Sequence, residues 1–131
     1  PKPSSAASDV YKRQPVACAA GIATLDVYEE EGLFDKAKAM EPHFEDAIHS
    51  LKGLNQVIDI RNIGLMGAIH FGSEGLPATE FAAKVFQHCY DNNVLVRYSG
   101  EFLVLSPSLI VEPKHLDKIA EALKTAINSV S

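Results

Sequence analysis

Residues 94–107 read VLVRYSGEFLVLSP and constrain the fold more than any other stretch. Two apolar runs are separated by a short polar turn with Ser99-Gly100 at its centre. This pattern predicts two antiparallel strands joined by a tight turn. A second β-rich stretch, VIDIRNIGLMGAIHF, covers residues 57–71. There Val57, Asp59 and Arg61 alternate with Ile58, Ile60 and Asn62 until Gly64 and Gly67 interrupt the pattern. Glycine within a strand marks a bend, a bulge or a close backbone approach. The spacing therefore predicts a short strand, a bend, and a second strand over 65–71.

Helical periods fill the rest. Residues 15–31 open on Pro15, which lacks only an amide hydrogen that a first turn leaves unbonded. Ala17, Ala19, Ala20, Gly21 and Ala23 give this helix a small face, which predicts close packing against another backbone. Glu29, Glu30 and Glu31 oppose the dipole at its end, so the chain is expected to break there and restart. Residues 34–51 carry Phe34, Ala37, Phe44, Ile48 and Leu51 at helical spacing, with Lys52-Gly53 as the stop. Residues 78–92 place Phe81, Val85 and Cys89 on one side, and Asn92-Asn93 supplies a left-handed cap. Pro113 opens a last helix with Leu116, Ala120, Leu123 and Ile127 in register. The order ααββαββα, a small antiparallel sheet covered by helices, is an α+β fold.

With 131 residues, 47% hydrophobic and 22% charged, the chain suits one domain with a substantial core. A net charge of -5, with lysines and arginines scattered, argues against nucleic acid as a partner. There is no run of about 18 apolar residues to span a membrane, and no signal-peptide pattern. A cytoplasmic location is the expectation. Cys18 and Cys89 lie within apolar helical patterns without CxxC spacing, and read as buried thiols of a reducing compartment.

Residues 1–14, PKPSSAASDVYKRQ, follow no helical or strand period, and the composition changes abruptly at Pro15. The run SAASDVYKRQ resembles a translated cloning adapter; the alternative is a natural flexible N-terminus. The expected division is 1–14 as an adapter-derived or disordered segment and 15–131 as the domain, a part of a longer protein.

Little in the chain points to self-contained catalysis. His43, His49, His70, His88 and His115 form no zinc motif, and His43 and His49 read as solvated helix residues, so no metal site is expected. Ser99, Ser106 and Ser108 lack a nucleophile elbow. Gly64 and Gly67 are too little for a phosphate loop. Arg97 differs, because it stands where an apolar strand is predicted to end. A guanidinium is always charged and costly to bury unpaired. Either it points into water, or it grips a carboxylate through two parallel hydrogen bonds.

The strings PVACAAGIATLDVYEEEGLFDKA, HSLKGLNQVIDIRNIGLMGAIHF and VLVRYSGEFLVLSPSLIVE, in that order, resemble one family. It is the C-terminal domain of class III pyridoxal-phosphate aminotransferases, in the branch acting on β-alanine or ω-amino acids and pyruvate. The resemblance spans 15–131. It implies the small α+β domain of a fold type I transferase, packed on a larger domain. The implied parent moves an amino group from an amine or ω-amino acid to a keto acid, as a homodimer or tetramer. Arg97 matches the arginine that binds the substrate carboxylate and swings aside for an amine without one.

The same resemblance implies no catalytic residue here. The Schiff-base lysine, the acid beside the pyridine nitrogen and the stacked aromatic belong to the large domain. Lys36, Lys38, Lys52, Lys84, Lys114, Lys118 and Lys124 match none of these positions. Pyridoxal 5'-phosphate is then bound by the parent rather than by this chain, which is expected to be inactive alone. The threonine that contacts the neighbouring subunit's cofactor phosphate is replaced by the SDVYKRQ stretch, with Gln14 where the family usually has His. His70 stands where related sequences often have an acidic or amide residue, and carries no reading. Two other possibilities stay open: a free-standing α+β module gripping a carboxylate metabolite at Arg97, and an inactive oligomerisation domain. The face of 15–31 separates them, since packing within the chain favours the module and an exposed apolar face implies a missing large domain.

Overall fold

The computed structural model describes residues 14–130. The segment read as adapter-derived therefore lies, Gln14 aside, outside the described residues. The chain divides into two compact units, with the division between Phe34 and Asp35.

In the first unit, α1 runs Pro15–Glu30 with Pro15 in its first turn. The acidic run ends it as expected. Glu31 is the C-cap and donates its amide to the Val27 carbonyl, and Gly32 turns the chain at φ +59°. Only glycine takes that conformation without steric cost. No α1 side chain is buried, and Val16, Ile22 and Leu25 are exposed. Tyr28 and Phe34 meet edge to face with ring centres 5.4 Å apart.

Helix α2 spans Leu33–His49 and contains Pro42. Its apolar stripe is shorter than predicted. Phe34 is exposed, while Phe44, Ile48 and the following Leu51 are fully buried. Gly53, at φ +82°, lies beyond the helix end. Strands β1 (Val57–Ile63) and β2 (Met66–Phe71) form a hairpin turning at Gly64-Leu65. Gly64 supplies the positive φ of the turn. Gly67 meets a different need, since a Cβ there would lie 2.8 Å from Ile48 Cδ1 and 3.0 Å from Phe44 Cζ. The two glycines of GLMG thus serve a turn and a close helix approach.

Gln56, at φ +58°, is the buried polar residue of the core, and its side-chain amide donates to the carbonyls of Gly72 and Leu76. It ties down the loop before α3 (Ala78–Asp91). Phe81, Ala82, Val85 and Cys89 of α3 are buried as predicted, and Asn93 takes the left-handed cap at φ +60°. Strands β3 (Arg97–Ser99) and β4 (Phe102–Leu105) lead to α4 (Pro113–Ser129). Glu112 and His115 close a reciprocal cap at its start.

All four strands are antiparallel neighbours in the order β1-β2-β4-β3. Ile60, Ile69, Phe71, Leu103 and Leu105 point inward to one core with Phe44, Ile48, Phe81, Val85, Leu116, Leu123 and Ile127. Helices α2, α3 and α4 therefore cover one face of the sheet. The alternate residues, including Arg61, Ala68, His70, Val104 and Arg97, are exposed or half-buried on the opposite face. The α+β class and the order of elements agree with the sequence pattern.

Candidate functional site

The structure moves Arg97 from the end of a strand to the beginning of one. Residues 94–96 were expected to be strand, but none of them pairs with another strand. Val94 and Val96 still point inward and Leu95 is exposed, so the alternation is real without the ladder. The partner explains the difference. Strand β4 ends at Leu105, and beyond it Pro107 has no amide hydrogen to donate. Residues 95 and 94 would face Ser106 and Pro107, and pairing begins at Arg97↔Val104 and continues through Tyr98↔Leu103 and Ser99↔Phe102. The turn also shifts by one residue, to Gly100-Glu101, with Gly100 at φ +59°.

Arg97 stands exposed on an edge strand and, among the described residues, has no ion-pair partner. It lies at a cleft of about 540 Å³ whose walls include Phe44, Phe86, Leu95, Tyr98, Val104 and Ile119. It is the single charged residue lining that cleft. Phe86 and Tyr98 pack at 5.1 Å and stiffen one wall. A fixed charge beside low-dielectric walls attracts an anion more strongly than the same charge in open water. The arrangement can hold a carboxylate on the guanidinium and an apolar group against the cleft.

The histidines are occupied structurally. His43 pairs with Asp117 at 2.7 Å, and His49 bonds Asn62 at 2.9 Å. His43 keeps an exposed side chain, as the helix pattern predicted, while His49 is half-buried, which corrects the expectation for that residue. His70, which had no reading, bonds Glu101 at 3.0 Å and stacks on Phe102 at 4.3 Å. Among the described residues no group of three or more His, Cys, Asp or Glu could hold a metal ion. Cys89 is buried, which pushes its thiol up to about 11. Cys18 is exposed, against expectation, because α1 buries nothing.

A pyridoxal phosphate site needs a lysine in a pocket, and this chain offers none in the cleft. Every described lysine is exposed, and none lines the cleft at Arg97. The described residues therefore do not fit the cofactor by themselves. What sequence reasoning missed is the company Arg61 and His70 keep across the sheet, because strand register carries no local signal.

Comparison with known proteins places this fold in a family. The chain matches the Aminotransferase class-III family over residues 2–127 and belongs to that family. Class III aminotransferases depend on pyridoxal 5'-phosphate. The chain is 39% identical over 120 residues to an omega-aminotransferase of Caulobacter vibrioides, covering 92% of this chain and 27% of that protein. It is 35% identical over 121 residues to a beta-alanine--pyruvate aminotransferase of Pseudomonas aeruginosa, again covering 92% and 27%. The chain thus spans about a quarter of the length of these curated relatives. Among solved structures, the adenosylmethionine-8-amino-7-oxononanoate aminotransferase of Methanocaldococcus jannaschii aligns with TM-score 0.80 and 26% identity, over 87% of this chain and 27% of that one. An omega-transferase from Vibrio fluvialis aligns with TM-score 0.81 and 24% identity, over 88% and 29%, a likeness of fold. Among the described residues no helix is long and apolar enough to cross a membrane.

Proposed function

We propose that this chain is the small domain of a longer aminotransferase that moves an amino group from an amine or ω-amino acid to pyruvate. The domain is taken to begin at Pro15, with residues 1–14 foreign to it. Arg97 holds the substrate carboxylate through two parallel N–H donors. The observation that carries the reading is the exposed Arg97 guanidinium, without an ion-pair partner among the described residues, beside an apolar cleft. Relatives named for β-alanine, ω-amino acids and pyruvate support reading the acid as pyruvate.

The chain's own residues position rather than transform. The Arg97 arm is long and lies on an edge strand, so it can meet a carboxylate or turn away when the other substrate has none. Tyr98, Phe86 and Val104 form apolar walls against which the rest of the substrate can lie. Pyridoxal phosphate would supply the electron sink for amino transfer, held by the rest of the longer protein. The chain alone is inactive in this reading. The parent is cytoplasmic and works as a homodimer or tetramer.

The experiment is Arg97→Ala in the complete enzyme. Loss of a charge-assisted bidentate contact should lower kcat/KM for pyruvate roughly ten- to hundredfold. Turnover of a simple amine donor without a carboxylate should change far less. Equal losses for both substrates would remove the assigned role. The carboxylate-binding module remains as a second reading, because residues of this chain alone line the Arg97 cleft. Full-length sequence upstream of Pro15 in the source DNA decides between them.

A further inference from the structure

Arg97 has a counterpart at the far side of the sheet. Across the face opposite the helices, Arg61 stands opposite Ala68, Ala68 opposite Val104, and Val104 opposite Arg97. Directly opposed residues share a face, so two arginines end one cross-sheet row. Their Cα atoms are three interstrand steps apart, about 14 Å. Between them Ala68 offers only a methyl group, and the face is low at that point. Arg61 lies across this gap, with its guanidinium carbon 5.9 Å from the centre of the Phe102 ring on β4. The side chain thus reaches across β2 to β4, into the row of Phe102 and Ser99 that adjoins the row of Arg97.

The Arg61 guanidinium is only partly engaged. Asp59 Oδ2 lies 3.3 Å from its Nε as an ion pair, and the terminal nitrogens remain as donors for another anion. The other acid at this face, Glu101, already pairs with His70 at 3.0 Å. Arg61 also lines a shallow depression of about 310 Å³ with Met66, Ala68 and Val104. Val104 belongs as well to the cleft of Arg97. The two depressions thus adjoin at one side chain.

We propose that Arg61 and Arg97 together read a small molecule with a carboxylate at each end, the first on Arg97 and the second on Arg61. This rests on the carboxylate reading of Arg97. A single guanidinium cannot tell a mono- from a dicarboxylate. A second at a fixed distance favours ligands of matching length.

The test uses the 131-residue chain, labelled with ¹⁵N, and follows the arginine Nε–Hε signals during titration with propionate or glutarate. Propionate should move the Arg97 signal alone, and glutarate should move both. Because Arg61 is exposed, its contribution is that of a surface pair, and glutarate should bind about three- to fivefold more tightly than propionate. Arg61→Gln should abolish that preference while leaving propionate binding unchanged. Arg61→Lys, which keeps the charge and loses the fork, should retain part of it. An Arg61 signal that glutarate leaves unmoved, or a preference that survives Arg61→Gln, would overturn this inference alone. An Arg97 signal unmoved by either acid would overturn the carboxylate reading and this inference with it.

Discussion

Helices α1 and α3 are of similar length, 16 and 14 residues, yet α1 buries no side chain while α3 buries Ala78, Phe81, Ala82, Val85 and Cys89. The difference is not one of apolar content. Residues 15–25 carry no charged side chain at all, whereas α3 includes Glu80, Lys84 and Asp91. What separates them is arrangement. In α3 the apolar residues make one stripe and the charges keep to the other side, which suits a helix covered on one face. In α1 small and apolar residues run all round, a pattern that belongs to a helix covered on several sides. Among the described residues no α1 side chain is buried, and in the proposed reading the cover comes from the rest of the longer protein.

The two cysteines report on this contrast directly. Cys18 on α1 is exposed, and Cys89 on α3 is buried with its thiol held protonated up to about 11. The thiolate is the reactive form. With a soluble thiol reagent at neutral pH, Cys18 should be modified at once. Cys89 should wait for global opening, a delay of about a thousandfold or more for a domain of ordinary stability. Comparable rates would mean that α3 is not the packed helix described.

Side-chain truncation should separate the helices next. Phe81 is fully buried and packs on Phe71 with ring centres 5.0 Å apart. Phe81→Ala should cost about 3–5 kcal/mol in urea denaturation. Leu25→Ala on α1 should fall within about 0.5 kcal/mol of the parent. A large loss at Leu25 would show that α1 is covered after all, by a second copy of the chain or by another surface.

The contrast also marks what could be read from sequence. Both helices, and the order of all eight elements, were legible because apolar spacing is a local property. Whether a helix is covered is not local, so Cys18 and Phe34 were misplaced. The same limit applies to the strands. Residues 94–96 alternate like a strand, but 95 and 94 would face Ser106 and Pro107, beyond the end of β4, and a pattern cannot say where its partner stops. Arg97 was found as a charge beside an apolar run, and its role came from resemblance to a family. Arg61, His70 and Phe102 converge only because three strands align in one register. Gln56 gave no signal, since its positive φ and its bonds to Gly72 and Leu76 depend on where the loop before α3 is held.

Glycine gives the finest form of the comparison. Gly21 on α1 and Gly67 on β2 both carry hydrogen where alanine would put a methyl. At Gly67 the methyl would meet Ile48 Cδ1 at 2.8 Å and Phe44 Cζ at 3.0 Å. Ile48 and Phe44 are packed into the core and have little room to yield, so Gly67→Ala should cost about 1–3 kcal/mol. At Gly21 nothing lies within 4 Å of the added Cβ. There the substitution removes only the conformational penalty of a helical glycine, and Gly21→Ala should stabilise α1 by up to about 1 kcal/mol. Because α1 lies in a separate compact unit, the gain should appear as helical ellipticity that survives to higher temperature, with the main unfolding transition unmoved. In the longer protein the sign should reverse if a second backbone lies against the small face of α1. A stabilising Gly21→Ala in both contexts would leave that face without the close partner that its alanines imply.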